Sequence, residues 1–274
     1  MPLPSLEEKI EIQINNLLQS KKYKALGIPP ETLHDLVLTE YLNHRNDKEA
    51  LKSVRQKLHN IIAPYLGDPD YEAEGQHLTA VFSNESENDI KDACLSILKT
   101  HASTRERIPI LDEFYQGIFA HTGRPKVILD LACALNPFSI PWMRLPAGTR
   151  YYAYDIHQPR LNLINQFLQL LDLEPLAEKR DILLSPPEVK ADVAFLFKEA
   201  HRLEQRRRGC NLPLWQALNV RHLLVSLPAS SLSGHHDLAE RQRHLVHTII
   251  GENSWNVVEM IFGNEMVFCI EKDA

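Results

Sequence analysis

Glycine is scarce in this chain: the 274 residues include ten, and none of them form a Gly-x-Gly-x-x-Gly motif. That motif lets the backbone approach a pyrophosphate closely, so its absence argues against an NAD-type dinucleotide site. The sequence also lacks any apolar run near the roughly 20 residues that a membrane-spanning helix needs. We therefore expect no membrane partner.

Cysteines are also few. The four are Cys94, Cys133, Cys210 and Cys269, and no two of them form a Cys-x-x-Cys pair. A zinc knuckle is thereby disfavoured, and we expect no metal. Scattered single cysteines suit a reducing compartment. The first residues carry Glu7 and Glu8 instead of an apolar secretion signal, so the sequence predicts a cytoplasmic protein.

Positive charge is not in excess, because 30 Lys and Arg residues face 36 Asp and Glu residues, for a net charge of −6. This balance argues against attachment to nucleic acid by global charge, but it allows a local basic face. The hydrophobic content of 44% is typical of a globular protein with ample core.

Residues 1 to about 100 have helical patterns. Ser5 and Glu8 form a capping-box pattern before the first helix, and Pro29-Pro30 opens a second. A third helix is predicted from about Asp47 to Tyr65, with further helices near 88–102 and 105–120.

The period changes from Lys126 onward. Apolar runs of strand length occupy 127–131, 150–155, 192–197, 221–227, 255–262 and 265–271, with a weaker run near 176–180. Helical patterns separate most of them, which predicts a mostly parallel α/β sheet. Only Gly263-Asn264 separates the last two runs, which indicates an antiparallel hairpin.

Three acids fall at the ends of predicted strands: Asp130, Asp155 and Asp181. Ligands of open α/β sheets bind at the carboxyl ends of the strands. Asp155 is placed to accept hydrogen bonds from ribose hydroxyls, and Asp181 from an adenine amine. Each acid alone could equally be a helix cap or part of an ion pair; three at successive strand ends favour a ligand site.

Small and apolar residues accompany these acids. Ala132 and Ala134 would let a ligand approach the loop after the first strand, and Ile156 and Ile182 would sandwich an adenine ring. The sequence therefore predicts a nucleoside-type site.

Several segments together resemble the aminoglycoside-resistance 16S rRNA methyltransferases (the Arm/Rmt family): His101–Arg107, Asp130–Pro137 and Asp155–Gln158. The likeness runs from Lys21–Leu26 to Gly263–Met266. It implies methyl transfer from S-adenosylmethionine to N7 of guanine 1405, at the decoding site of 16S rRNA within the 30S subunit.

The resemblance also implies a fold. We expect a class I S-adenosylmethionine-dependent methyltransferase with a Rossmann-like seven-stranded sheet over residues 101–274. A helical N-terminal RNA-binding domain would occupy residues 1–100. Because the RNA partner is large, we expect a monomer.

Further site residues follow from the resemblance alone. Arg107, with Thr104 nearby, would bind the methionine carboxylate. Lys198, Glu204 and Glu265 match functional positions of the family and are predicted to act in catalysis or in positioning the base. A lysine at a strand end could equally be a solvated cap, and the two acids could form ion pairs.

A basic stripe is predicted on the third helix, where Lys48, Lys52, Arg55 and His59 share one face. The resemblance adds Lys22, Arg55 and Lys57 as RNA-contacting positions. Such a stripe could bind phosphates or be a solvated face.

The sequence departs from the family in the loop 226–236, where Ser230 and His235 replace two basic residues; His235 remains a predicted RNA contact. The run Phe197–His201 also differs from the family's Phe-Lys-Leu-x-Pro-like run. Three alternatives therefore stay open: a methyltransferase with another RNA target, a fold-retaining RNA- or ribosome-binding protein, and a small-molecule methyltransferase.

Overall fold

Seven strands form one mixed sheet in the computed structural model, which describes residues 5–20, 27–62, 67–83, 86–230 and 238–272. The strand order is β3-β2-β1-β4-β5-β7-β6, and β7 is antiparallel to both of its neighbours. The strands are β1 Val127–Leu131, β2 Arg150–Asp155, β3 Ala177–Lys179, β4 Ala191–Phe197, β5 Val220–Pro228, β6 Asn256–Phe262 and β7 Glu265–Glu271. The order reverses between β1 and β4, where such sheets open a crevice.

Some helices precede the first strand in sequence and others connect the strands, and together they cover both faces of the sheet. They are α1 Leu6–Gln19, α2 Pro30–Asn43, α3 Asp47–Ile62, α4 Tyr71–Phe82, α5 Glu87–Thr100, α6 Ala102–Arg105, α7 Leu111–Thr122, α8 Ile140–Met143, α9 Gln158–Leu170, α10 Ala200–Arg206, α11 Asn211–Ala217 and α12 Ala239–Ile250. Among the described residues, none of these helices is long and apolar enough to cross a membrane.

Each face of the sheet has its own apolar core, because successive strand residues point to opposite sides. Ile128 of β1 belongs to the core that α4, α5, α7 and α9 cover. Its neighbour Leu129 belongs to the other core, which α10, α11 and α12 cover. The sheet is therefore buried on both sides, as a mostly parallel sheet requires.

Helices α1 to α3 enclose a third and separate core, built around Ile10, Leu33, Leu36, Val54 and Leu58. The apolar residues of helices α4 and α5 instead belong to the core on one face of the sheet. The apolar cores therefore divide between α3 and α4, before the predicted domain boundary near residue 100.

The predicted α/β fold with seven strands and a terminal hairpin is confirmed, and Gly263 turns the hairpin with a φ of 53°. One helix prediction needs correction. The third helix is described as Asp47–Ile62, and the rest of its predicted range, to Tyr65, lies outside the described residues. The helix predicted over 105–120 begins at Leu111, after a 3-10 turn over Ile108–Ile110 whose proline has no N–H to donate.

Candidate active site

The loop after β1 has an uncommon backbone. Ala132 and Ala134 have φ values of 50° and 47°, in the left-handed region that costs an alanine about 1–2 kcal/mol. The Ala134 N–H donates to the Asp155 carboxylate (3.1 Å), and the Cys133 N–H donates to the Tyr154 carbonyl (2.9 Å). The loop is thereby held against the end of β2. Ala132 and Ala134 present only methyl side chains there.

A cavity of about 410 Å³ opens beside this loop, a size suited to a small molecule. Its strand-side wall consists of Ala132, Ala134, Asp155, Ile156, Arg180, Asp181 and Ile182. Its helix-side wall consists of residues after β4, on α10 and on α3: Phe197, Lys198, Glu199, His201, Arg202, Leu203, Gln205, Arg206, Lys57, Asn60 and Ile61. His101, Ser103 and Arg160 complete the lining.

Asp155 is buried and held by three hydrogen bonds. Its Oδ2 accepts from Arg160 (2.9 Å) and from the Ala134 N–H, and its Oδ1 accepts from the His157 N–H (3.0 Å). Arg160 is held in turn by Asp68 (2.7 and 2.9 Å). A carboxylate has about four lone-pair sites, so one acceptor site remains on Asp155.

Asp181 uses all of its acceptor sites within the chain. Arg206 donates to both oxygens (3.0 and 2.6 Å), the Thr32 hydroxyl donates to Oδ2 (2.7 Å), and the Leu183 N–H donates to Oδ1 (3.1 Å). Arg206 also pairs with Asp35 (3.5 Å). Because Thr32 and Asp35 lie on α2, the N-terminal helices hold this acid directly and through Arg206.

Lys198 follows β4 with a φ of 57°. Its ammonium donates to Glu106 (2.7 Å) and to the Ser103 carbonyl (3.2 Å), and it lies 3.4 Å from Glu265. The side chain is only 9% exposed. The wall thus holds a positive charge between two carboxylates.

Arg107 lies beneath this lysine. Its guanidinium forms a bidentate pair with Glu265 (3.1 and 2.5 Å) between the rings of Phe114 and Phe197. Burial alone would raise the pKa of Glu265, but the charges of Arg107 and Lys198 outweigh it, and this pKa lies below its ordinary value.

Asp130 continues the buried network. It accepts from Tyr151 (2.6 Å) and from Asn136 (3.0 Å), and Asn136 accepts in turn from Arg107 (2.6 Å). Burial raises the pKa of Asp130 to about 7. A polar chain therefore runs beneath the cavity from β1 to the Arg107–Glu265 pair.

Comparison with known proteins decides the family. The family model described as "Ribosomal RNA methyltransferase (FmrO)" matches residues 19–269. The chain belongs to this family. The predicted family is thereby confirmed.

Relatives match this family member over nearly its whole length. It is 30% identical over 282 residues to the 16S rRNA (guanine(1405)-N(7))-methyltransferase of Frankia casuarinae, covering 99% of this chain and 96% of that protein. It is 33% identical over 221 residues to the enzyme of the same name from Serratia marcescens, covering 81% of each. The structure of 16S rRNA methyltransferase RmtF in complex with S-adenosyl-L-homocysteine matches with a TM-score of 0.77 at 27% identity, covering 98% of this chain and all of that chain.

The predicted cofactor-binding and catalytic residues of this methyltransferase-family chain divide into two groups. Seven line the cavity: Ala132, Ala134, Asp155, Ile156, Asp181, Ile182 and Lys198. Thr104, Arg107, Asp130 and Glu265 do not line it. The Thr104 hydroxyl donates to the Leu98 and His101 carbonyls (2.7 and 3.1 Å) at the end of α5. A cofactor could reach Arg107 only after the pair with Glu265 opened.

Glu204, predicted as a functional acid, also lies outside the cavity lining. Its carboxylate accepts from the Gly209 N–H (2.7 Å) and from the N–H and side-chain amide of Asn211 (3.3 and 2.9 Å). These hydrogen bonds stabilise the turn between α10 and α11. Glu204 therefore has a structural role in the fold.

The predicted RNA-contacting residues of α3 also separate. Lys48, Lys52 and Arg55 are exposed and have no ion pair within the described parts of the chain, and His59 is half-buried. Lys57 instead lines the cavity, where it pairs with buried Glu40 (2.7 Å) and donates to the Arg206 carbonyl (2.8 Å). The RNA contacts of all five remain predictions.

Two predicted RNA contacts, Lys22 and His235, lie outside the described residues. Ser230, at one of the family's basic positions, is described. Its N–H and hydroxyl both donate to the side-chain oxygen of Asn264 (2.7 Å each). This serine therefore ties the loop to the β6–β7 hairpin.

The structure adds lining residues that the sequence reasoning missed. Burial, helped by the charge of Arg160, lowers the pKa of His101 to about 4, so its ring is neutral near pH 7. Its Nδ1 lies 2.8 Å from the Ser103 hydroxyl, whereas its buried Nε2 has no hydrogen-bond partner among the described residues. Its place at the start of the His101–Arg107 motif could have identified it.

Glu199 was also missed, although it directly follows Lys198. Its side chain is 28% exposed and lies 3.2 Å from the Arg202 Nε. Burial raises the pKa of this carboxyl to about 7, and the charge of Asp155 adds to the rise, while Arg202 and Arg206 oppose it.

Proposed function

We propose that this protein transfers the methyl group of S-adenosylmethionine to N7 of guanine 1405 in 16S rRNA, within the 30S subunit. The observation that carries the proposal is the near full-length match to relatives that bear this activity in their names. The cavity at the strand ends, lined by the predicted nucleoside-binding residues, supports it.

The lining fits S-adenosylmethionine. Asp155 retains one acceptor site for a ribose hydroxyl, and Ile156 and Ile182 offer apolar contacts for adenine. The unpartnered Nε2 of His101 is a buried polar atom of the kind that a ligand satisfies. Asp181 would bind the adenine amine only after Thr32 or Arg206 released it.

The cofactor supplies an electrophilic methyl group on a sulfonium. Guanine N7 carries a lone pair and no proton at neutral pH, so the protein needs to align the base and exclude water more than to remove a proton. A-form RNA hides N7 in a deep, narrow groove, so the guanine would be flipped into the cavity. Lys198, fixed between Glu106 and Glu265, would set the polarity of that cavity.

The helical part would seat the enzyme on RNA. Residues 1–100 would form the RNA-binding region, and 101–274 the methyltransferase domain. The exposed side chains of Lys48, Lys52 and Arg55 supply positive charge without internal partners in the described chain, as phosphate contacts require. We propose that the protein works in the cytoplasm as a monomer.

Methyl transfer to purified 30S subunits tests the function. With tritiated S-adenosylmethionine, we expect one methyl group per subunit. Chemical cleavage at N7-methylguanine followed by primer extension should locate it at position 1405. Subunits methylated there beforehand are the control and should accept none. Incorporation at another nucleotide would change the target, and no incorporation into any RNA would overturn the proposal.

A cellular experiment tests the consequence for antibiotics. Expression in a susceptible bacterium should raise the aminoglycoside concentration needed to stop growth, because the modified guanine lies in the decoding site. An Asp155→Asn variant at equal expression is the control. Unchanged susceptibility alongside complete methylation at 1405 would refute the resistance role.

A further inference from the structure

Glu199 is the cavity carboxylate with the most unused acceptor sites. Three carboxylates line the cavity, and Asp181 accepts four hydrogen bonds while Asp155 accepts three. Glu199 has the ion pair with Arg202 and no hydrogen bond to its side chain from the described residues. Its partial exposure leaves the carboxylate accessible from the cavity.

The position of Glu199 places it on the side of the cavity that would receive the methyl-accepting base. The residues suited to the cofactor follow β1, β2 and β3, whereas Glu199 follows β4, across the crevice where the strand order reverses. If the cofactor occupies the strand-side wall, the base that receives the methyl group meets the helix-side wall. This step rests on the proposed function.

We propose that Glu199 binds the Watson–Crick edge of the flipped guanine, accepting hydrogen bonds from N1–H and the exocyclic amine. These two donors lie side by side, and the two oxygens of a carboxylate match them as they match a guanidinium. Adenine, cytosine and uracil do not present two adjacent donors on that edge. N7 lies on the opposite edge of the purine, so these two hydrogen bonds leave N7 free to attack the methyl group.

The contact would also act on the reaction rate. As the N7 lone pair forms the N–CH₃ bond, the C–S bond breaks, its electron pair stays on sulfur, and the positive charge passes from the sulfonium to the purine. A cationic purine is a stronger N–H donor. The hydrogen bonds to Glu199 therefore strengthen in the transition state, and interactions of that kind accelerate a reaction.

The fold does not need this side chain. Glu199 is the N-cap residue of α10, and its backbone carbonyl accepts from Arg202 and Leu203 (2.8 and 3.0 Å), but its side chain makes no capping bond. A Glu199→Gln variant should therefore fold like the parent protein.

The test compares Glu199→Gln and Glu199→Asp with the parent protein and with Glu113→Gln, a change at an exposed glutamate of α7. For each we would measure the melting temperature, calorimetric binding of S-adenosylmethionine, and the single-turnover rate on saturating 30S subunits. We expect Glu199→Gln to lose at least tenfold in rate with cofactor binding within twofold of the parent. Glu199→Asp, which keeps the charge, should lose less, and Glu113→Gln should lose nothing.

Each other outcome is decisive. A rate within twofold of the parent in Glu199→Gln would overturn the inference. So would a parallel loss of cofactor binding, which would assign Glu199 to the cofactor. Glu199→Asp slower than Glu199→Gln would refute the role of the carboxylate. No transfer by the parent protein to any guanine would overturn the proposed function as well, so the two failures are distinguishable.

Discussion

The two walls of the cavity hold their charged groups in different ways. On the strand-side wall, Asp155 and Asp181 are buried and accept three and four hydrogen bonds. On the helix-side wall, Glu199 has one ion pair, and the buried Nδ1 of His201 has no hydrogen-bond partner in the part of the chain that the structure describes. The two strand-side carboxylates keep one acceptor site, on Asp155, whereas the helix-side wall retains more polar atoms without hydrogen bonds among the described residues.

The difference follows from how each wall is built. Hydrogen bonds between the strands fix the strand-side wall, and α2 adds one direct hydrogen bond, from Thr32 to Asp181. The helix-side wall depends on α3 meeting α10, where Lys57 donates to the Arg206 carbonyl and Arg202 donates to the Asn60 carbonyl (2.6 Å). Changes in the N-terminal helices should therefore affect the helix-side wall first.

The largest expected effect comes from removing the cation that joins α3 to α2 at the helix-side wall. In Lys57→Met, the buried carboxylate of Glu40 keeps Ser53 and loses its 2.7 Å ion pair. Breaking a buried pair costs about 3–5 kcal/mol, and we expect the low end because Ser53 remains. Urea unfolding measures the loss. Lys52→Met, on the exposed face of the same helix, should stay within about 0.5 kcal/mol of the parent; equal losses would contradict the prediction.

The same pair predicts a pH dependence. Burial raises the pKa of Glu40, but hydrogen bonds from Lys57 and Ser53 outweigh it, and this pKa lies below its ordinary value of 4.5. A lowered folded-state pKa stabilises the fold above the ordinary value, and this stability is lost as pH falls through the folded pKa. The difference between the parent and Lys57→Met should therefore shrink below pH 4.5. A difference that grew on acidification would refute this account.

Asp155→Asn tests the strand-side wall. The substitution removes a charged acceptor and weakens the hold on Arg160. Binding of S-adenosylmethionine should weaken about 10- to 150-fold, as loss of a charged hydrogen bond of about 1.5–3 kcal/mol implies. Calorimetry measures it. Asp192→Asn is the matched control, because Asp192 binds the N–H groups of Lys126 and Val127 at the other end of the strands. Equal affinities in the two variants would show that Asp155 does not bind the cofactor.

Arg206→Gln tests the link between the walls. It frees two of the four acceptor sites of Asp181. If Asp181 serves the adenine amine, the cofactor should bind about three- to tenfold tighter, because the cost of releasing the acid, about 1 kcal/mol, is removed. Arg208→Gln, at an exposed neighbour, should bind like the parent. Weaker binding in Arg206→Gln would assign Arg206 itself to the ligand.

The smallest effect concerns the outer face of α3. Lys52→Ala should reduce the slope of log affinity for 30S subunits against log salt by about 1, the value for one lost phosphate contact. Lys126→Ala, at an exposed position just before the amino end of β1, is the control. An unchanged slope in Lys52→Ala would mean that the stripe is a solvated face.

Much of this structure could be predicted from sequence periodicity. The runs 127–131 and 150–155 coincide with β1 and β2, because apolar runs of strand length bounded by polar residues have few alternatives in a buried sheet. The acids Asp155 and Asp181 reach the cavity because the carboxyl ends of parallel strands share one edge.

Pairing over long distances could not be predicted. The binding of a ligand carboxylate by Arg107 stays a prediction, and its bidentate pair with Glu265 joins residues 158 positions apart. For Lys57, a signal was present. It lies nine residues after Lys48, and at about 100° per residue that places it on the opposite side of the helix from the stripe. The division of the apolar cores between α3 and α4 could not be predicted either, because α4 and α5 are as helical as α1 to α3 and only their packing differs.

The saturation of Asp181 has a consequence in terms of thermodynamic linkage. A ligand that needs this acid binds at its intrinsic affinity only in the fraction of molecules in which Thr32 or Arg206 has released it, so its apparent affinity is reduced by that fraction. Thr32 and Asp35 lie on α2, so a partner that draws α2 away increases the fraction. By reciprocity, an occupied cofactor site would favour that partner by the same factor. The N-terminal helices would then make the affinities for RNA and for cofactor depend on each other.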